Sequence, residues 1–157
     1  MATILITGAS RGLGLEFASQ YAAEGEGIIA ACRSPANADA LLKIEKNAGR
    51  LDILEMDVTD LKSVRNAAAR LNESTIDVLI NCAGIVGAQG QTAGNIDYKN
   101  WAQVFDVNTL GPMRVLEAFI EHIACSERRL AITITSAMGS LADNRAGGSI
   151  AYRSSKA

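Results

Sequence analysis

The chain has 157 residues, of which 48% are hydrophobic, and a formal net charge of −2. This near-neutral charge gives no electrostatic reason to bind nucleic acid or an anionic membrane, and a single histidine without a Cys-x-x-Cys motif predicts no metal site. No apolar run approaches the roughly 18 residues that a membrane span needs, so we expect a cytoplasmic protein with one domain over residues 1–157. Cys32, Cys82 and Cys125 lie far apart in apolar segments, and we expect all three thiols to be buried.

Five short apolar runs predict β-strands, because each is rich in Ile, Leu or Val, as strands buried on both faces are. They lie at residues 2–7, 27–32, 51–56, 78–81 and 130–136. Longer amphipathic stretches separate them and predict right-handed βαβ crossovers. The sequence therefore predicts an α/β fold, a doubly wound, Rossmann-type parallel sheet with helices on both faces, here truncated after the fifth strand.

The first strand runs into a turn that contains three glycines. Gly8 lets the chain leave the strand sharply, Gly12 lets the backbone approach a pyrophosphate, and Gly14 lets the next helix lie close to the strand. The free N–H groups and the dipole of that helix attract phosphate. The other candidate contacts in the turn are Ser10, Arg11 and Leu13. The turn predicts a dinucleotide-binding site, and an ordinary tight turn is the alternative.

The longest predicted helix spans residues 100–123 and contains Pro112. Because proline lacks a backbone donor and clashes with the preceding turn, we expect a kink near Asn108 that frees backbone groups there. Residues 84–97 and 137–149 are the segments most typical of loops.

Further motifs follow the glycine turn in order along the chain. The stretch Asn81-Cys82-Ala83-Gly84 ends the fourth strand, Asn108 lies in the long helix, Ser136 ends the fifth strand, and Tyr152 and Lys156 are four residues apart. Together with Thr7 and the Gly-x-x-x-Gly-x-Gly spacing, this ordered set resembles the motifs of the short-chain dehydrogenase/reductase family. The resemblance covers the whole sequence. Chains of that family have roughly 250 residues, whereas this sequence ends directly after Lys156.

The resemblance implies a nicotinamide dinucleotide cofactor, and the residues after the second strand favour NADP(H). That strand ends at Cys32, without the acidic residue that would pair with the ribose 2′-hydroxyl of NAD. Arg33 follows it, and Arg33 and Arg11 could hold the 2′-phosphate of NADP from two sides. The alternative is that both arginines are ordinary surface charges.

The resemblance also implies cofactor contacts after the third and fourth strands. Asp57 and Val58 match the position that contacts adenine, although a carboxylate there can instead close a strand-to-helix turn. Ala83 and Gly84 are small enough to lie against the cofactor ribose. Asn81 is a binding candidate that can instead tie neighbouring strands together.

The candidate catalytic residues are Tyr152, Lys156, Ser136 and Asn108. On one helix, Tyr152 and Lys156 share a face, and an ammonium beside a phenol favours the phenolate, which makes the phenol a usable proton donor. The resemblance implies that both also contact the cofactor, that Ser136 hydrogen-bonds the substrate oxygen, and that Asn108 holds a water linking Lys156 to solvent. The alternative is a helical pair on the surface and a strand terminus.

These residues predict an oxidoreductase that transfers hydride between NADP(H) and a small carbonyl or alcohol substrate, and a homo-oligomer if the domain is complete. Residues 136–152 look most like the C-factor-like carbonyl reductase branch. A non-catalytic NAD(P)-binding or signalling protein is the alternative, because the family's remaining strands would lie beyond Ala157. In a 157-residue polypeptide we expect the short helix of Tyr152 to fray and turnover to suffer. The glycine spacing disfavours an extended sugar-nucleotide epimerase.

Overall fold

The computed structural model describes residues 1–72 and 74–157, and its strands form a five-stranded sheet that is parallel throughout. The strands are β1 (Thr3–Thr7), β2 (Gly27–Cys32), β3 (Leu51–Glu55), β4 (Val78–Asn81) and β5 (Leu130–Thr133), in the order β3-β2-β1-β4-β5. The predicted α/β class and doubly wound sheet are thus confirmed. The fifth strand ends earlier than expected, although the N–H of Ile134 still donates to the carbonyl of Asn81 at 2.9 Å.

Helices lie between successive strands, and one more follows the last strand. They are α1 (Gly12–Ala23), α2 (Asp39–Ala48), α3 (Leu61–Arg70), α4 (Tyr98–Phe105), α5 (Gly111–Ala124) and α6 (Ile150–Lys156), with a π-helical turn at Asp106–Leu110 and 3₁₀ turns at Pro35–Asn37 and Ala137–Gly139. In the part of the chain that the structure describes, no helix is long and apolar enough to cross a bilayer.

The two faces of the sheet carry separate hydrophobic cores. On one face, Ile4 and Ile6 pack with Ala18 of α1 and Leu41 of α2. On the other face, Leu5 packs in a core with side chains of α3 and α5. Because successive side chains of β1 enter opposite cores, the middle of this strand is apolar without alternation, as in a central parallel strand.

The strand order places a topological switch point between β1 and β4. The chain continues from β1 to β2 on one side, whereas β4 lies on the other side of β1. Crossovers that leave a sheet in opposite directions open a crevice at the carboxyl ends of the strands, which is where open α/β sheets bind ligands.

The long helix predicted around Pro112 is interrupted by the π-helical turn at Asp106–Leu110. Proline cannot donate to the carbonyl four residues earlier, and here the N–H of Gly111 bonds the carbonyl of Asp106, five residues back. The guanidinium of Arg114 spans the turn, because it lies 2.6 Å from the Asp106 carboxylate and donates to the Asp106 carbonyl at 3.4 Å. The predicted kink near Asn108 is therefore present as a wide turn.

Two expectations from the sequence need correction. Of the three thiols, only Cys32 is buried, whereas Cys82 is half-buried and Cys125 is exposed, because Cys125 follows the last buried residue of α5. Helix α6, which carries Tyr152, is expected to fray, but in the structure it is formed and packs against α4, where the indole Nε1 of Trp101 donates to the Ser154 hydroxyl at 3.1 Å. Tertiary contact stabilises a helix that would be too short to form alone.

Candidate active site

A cleft of about 390 Å³ lies at the carboxyl ends of the strands, between the glycine turn and α6. The predicted site residues that line it are Gly8, Ser10, Arg11, Gly12, Leu13, Gly14, Arg33, Asp57, Val58, Ala83, Gly84, Tyr152 and Lys156. Asn81, Asn108 and Ser136 lie outside its lining. The structure therefore brings most of the predicted residues together around one cavity.

Close packing explains why the turn needs glycine at two positions. Gly8 has φ +68°, and a methyl group on it would lie 2.7 Å from Cα of Ala83, at the end of β4. A methyl group on Gly14 would lie 2.5 Å from the Gly8 carbonyl oxygen. Both distances are too short for a side chain, so these glycines let β1, α1 and β4 meet at one point.

The middle glycine of the turn, Gly12, faces open space. Gly12 has φ +56°, and a methyl group on it would have no neighbour within 4 Å. Among the described residues, no side chain caps the N-terminus of α1. The first N–H groups of α1 are consequently suited to an anionic ligand in the cleft.

Three charged side chains of the predicted cofactor site line the cleft on the side of the glycine turn, β2 and β3. Arg11 and Arg33 are both exposed cleft residues, and the neighbouring Cys32 is buried. Asp57 also lines the cleft, but its Oδ1 accepts from the backbone N–H of Thr59 at 2.9 Å and from the Thr59 hydroxyl at 2.7 Å. Asp57 thus closes the turn after β3 as well as facing the cavity.

Tyr152 and Lys156 reach the cleft from one face of α6. The Nζ of Lys156 donates to the carbonyl of Ile134 at 2.7 Å, which fixes the ammonium beside the end of β5. Burial lowers the pKa of Lys156, and the nearby Cys82 opposes this shift. Burial raises the pKa of the Cys82 thiol, and Lys156 in turn opposes that.

Asn108 is buried beneath the cleft and uses its side chain for three hydrogen bonds. Its Oδ1 accepts from the N–H of Ile85 at 2.9 Å, and its Nδ2 donates to the carbonyl of Ile85 and to the hydroxyl of Ser155, both at 2.9 Å. The amide therefore connects the loop after β4 to α6. Its main-chain carbonyl is the one that Pro112 leaves without an α-helical donor.

Ser136 and Asn81 take positions beside the cleft. The Ser136 oxygen accepts from the N–H of Met138 at 3.2 Å and starts the 3₁₀ turn, so the hydroxyl proton stays available as a donor. Asn81 is buried and its Nδ2 donates to the carbonyl of Pro112 at 3.4 Å. Because strand side chains alternate, Asn81 faces α5 while Cys82 faces the cleft.

Sequence reasoning assigned no structural role to two polar residues that organise this region. Thr7 is 1% exposed, and its Oγ1 accepts from the N–H groups of Cys82 at 3.0 Å and Ala83 at 3.1 Å. A hydroxyl at the end of an otherwise apolar central strand was the available signal. Arg153 lies between the two candidate catalytic residues of α6. Its guanidinium donates to two backbone carbonyls of the segment that precedes α6, and such bonds have no signature in the sequence.

Comparisons with known proteins agree with the fold of this chain. The family model described as short chain dehydrogenase matches residues 2–157. A 1-hydroxy-2-glutathionyl-2-methyl-3-butene dehydrogenase from Rhodococcus sp. (strain AD45) is 35% identical over 159 residues, which cover 100% of this chain and 66% of that protein. C-signal from Myxococcus xanthus is 42% identical over 94 residues, which cover 60% of this chain and 56% of that protein. The chain thus matches less than two thirds of the length of each of these relatives.

A solved structure shares the fold over almost the whole chain. The carbonyl reductase from Pseudomonas aeruginosa PAO1 in complex with NADP is 31% identical, with a TM-score of 0.88. The superposition covers 99% of this chain and 70% of that one.

Proposed function

This chain belongs to the short-chain dehydrogenase family, and we propose that it transfers hydride between NADP(H) and a small carbonyl or alcohol substrate. The observation that carries the proposal is the presence of Tyr152 and Lys156 in the same cleft as the glycine turn. A phenol, an ammonium and a phosphate-binding turn around one cavity are the groups that such a reaction needs.

The residues present fit the proposed cofactor. The open space at Gly12 and the uncapped start of α1 suit a pyrophosphate, while Arg11 and Arg33 suit an additional phosphate on the adenosine side. Ala83 and Gly84 leave room for a ribose. The NADP complex of the Pseudomonas aeruginosa carbonyl reductase supports the choice of NADP(H) over NAD(H).

The chain's own residues would handle the proton while the bound nicotinamide supplies or accepts the hydride. In the reducing direction, Tyr152 donates its phenol proton to the substrate's carbonyl oxygen, which thereby becomes the hydroxyl of the alcohol. The Lys156 ammonium favours the resulting phenolate and would contact the ribose of a bound cofactor. Ser136 hydrogen-bonds the substrate oxygen, and the main-chain carbonyl of Asn108 holds the water that returns a proton through Lys156.

The carbonyl reductase branch and self-association are part of the proposal. The match to C-signal and the carbonyl reductase fold support the branch. Exposed apolar side chains on one side of the long helix support association between copies, since Leu110, Met113 and Ile120 are 50%, 55% and 46% exposed.

Replacing the proposed acid tests the function directly. Tyr152→Phe keeps the ring but removes the proton, so we expect NADPH-dependent reduction of a small aldehyde to fall at least about 100-fold while NADPH affinity changes little. Turnover is followed by NADPH absorbance and binding by calorimetry. Retained turnover in Tyr152→Phe would refute the assignment of the acid, and NADPH binding without turnover in the wild type would favour the non-catalytic alternative.

A further inference from the structure

The segment from residue 137 to residue 149 joins Ser136 to the helix that carries Tyr152. Its internal hydrogen bonds are local: the Ser140 hydroxyl bonds the Asp143 carboxylate at 3.2 Å, and the Asn144 Oδ1 accepts from the N–H of Gly147 at 3.0 Å. These bonds shape the segment without attaching it to the rest of the domain.

The attachment comes from the side chain of Arg153. Its Nε donates to the carbonyl of Gly147 at 3.1 Å, and its Nη1 donates to the carbonyl of Met138 at 3.3 Å. Met138 comes just after Ser136, and Gly147 lies near the other end of the segment, so one half-buried guanidinium joins both ends to α6. The fixed fork of donors suits this task, because both bonds constrain the same rigid group.

A second contact places the 3₁₀ turn against the same helix. A side chain at Gly139 would overlap the main-chain carbonyl of Lys156, so the Ala137–Gly139 turn lies directly on the end of α6. The turn begins at Ser136, whose oxygen accepts from the N–H of Met138. The position of the Ser136 hydroxyl therefore depends on how this turn is held against α6.

We propose that Arg153 is a positioning residue that fixes the distance between the hydroxyls of Ser136 and Tyr152. The inference rests on the proposed function, in which both hydroxyls must reach one substrate oxygen at about 3 Å. Without the guanidinium, the 137–149 segment can move away from α6 while Tyr152 stays on its helix. A displacement of about 1 Å at such a site can cost on the order of 100-fold in rate.

The test compares Arg153→Met with Arg145→Met, since Arg145 is an exposed arginine within the 137–149 segment itself. We expect Arg153→Met to lower kcat for aldehyde reduction about 10- to 100-fold with the Kd for NADPH within about twofold. Arg153→Lys should recover part of the loss, because it restores one donor, and Arg145→Met should leave kcat unchanged.

A double-mutant cycle with Ser136→Ala separates positioning from general destabilisation. If Arg153 acts through Ser136, Arg153→Met should cost less than about threefold in the Ser136→Ala background. An equal loss in both backgrounds, or a kcat for Arg153→Met equal to that of Arg145→Met, would overturn the proposal.

Amide hydrogen exchange tests the role of Arg153 independently of whether the protein turns over a substrate. Absence of turnover in the wild type would defeat the function, but amides in residues 137–149 would still exchange faster in Arg153→Met than in Arg145→Met if the guanidinium holds the segment. Unchanged exchange there would show that Arg153 does not hold it.

Discussion

Replacing Thr7 by valine should cost more stability than its nearly unchanged volume suggests. Thr7 is 1% exposed, and its oxygen accepts two backbone N–H groups of the strand end that faces the cleft. Valine fills the same space but leaves the amides of Cys82 and Ala83 without this acceptor. An unsatisfied buried donor costs about 1–3 kcal/mol, and these amides are partly buried, so we expect a loss of about 2–3 kcal/mol in the free energy of unfolding.

Thr7→Ser is the matched control, because it keeps the oxygen and removes only a methyl group, at a cost of about 1 kcal/mol. Urea unfolding of the three proteins at one protein concentration measures both effects. With a urea m-value of about 2 kcal/mol/M, the valine variant should unfold at least about 0.5 M below the serine variant. If Thr7→Val and Thr7→Ser have the same free energy of unfolding, the two hydrogen bonds of the Thr7 hydroxyl do not stabilise the contact between the ends of β1 and β4.

Two further changes probe the cofactor site and the opposite end of the sheet. Arg33→Ala should weaken NADPH binding at least about tenfold, or about 1.4 kcal/mol, with little effect on NADH, and calorimetry that finds an unchanged NADPH/NADH ratio would contradict the phosphate-binding role. At the other end of the sheet, hydrogen bonds from the Ser126 hydroxyl and the Thr3 N–H lower the pKa of Asp77. A lowered pKa stabilises the fold above the ordinary aspartate range. That effect is lost as pH falls through the folded-state pKa, so the advantage of wild type over Asp77→Asn in unfolding free energy should be present at neutral pH and shrink in acid. An advantage in unfolding free energy that is the same at pH 7 and pH 3 would rule out the carboxylate as its source.

The sequence predicted the features that follow from local conformation and periodicity. The apolar runs located the strands because buried parallel strands need such composition, and the glycine spacing located the turn because Gly8 and Gly14 have no room for a side chain. Pro112 predicted the break in the long helix because its missing donor acts within one turn.

Contacts between distant side chains and backbone groups could not be predicted in this way. The bond from Asn108 to Ser155 joins residues 47 positions apart, and the bonds of Arg153 to Met138 and Gly147 depend on how the segment folds back on its helix. Cys125 illustrates the same limit on a smaller scale. Its apolar neighbourhood suggested burial, but the end of α5 turns it toward solvent.

The placement of β1 at the centre of the sheet also affects how the chain folds during synthesis. β1 is made before the other strands of this sheet, yet one of its edges must pair with β4, and Thr7 and Cys82 are 75 residues apart. At a translation rate of about 5–20 residues per second, β1 waits about 4–15 s for that partner. Throughout this interval an apolar strand has one open edge, which is a template for pairing with other chains. On the ribosome, β1 is therefore open to pairing with other chains until β4 emerges.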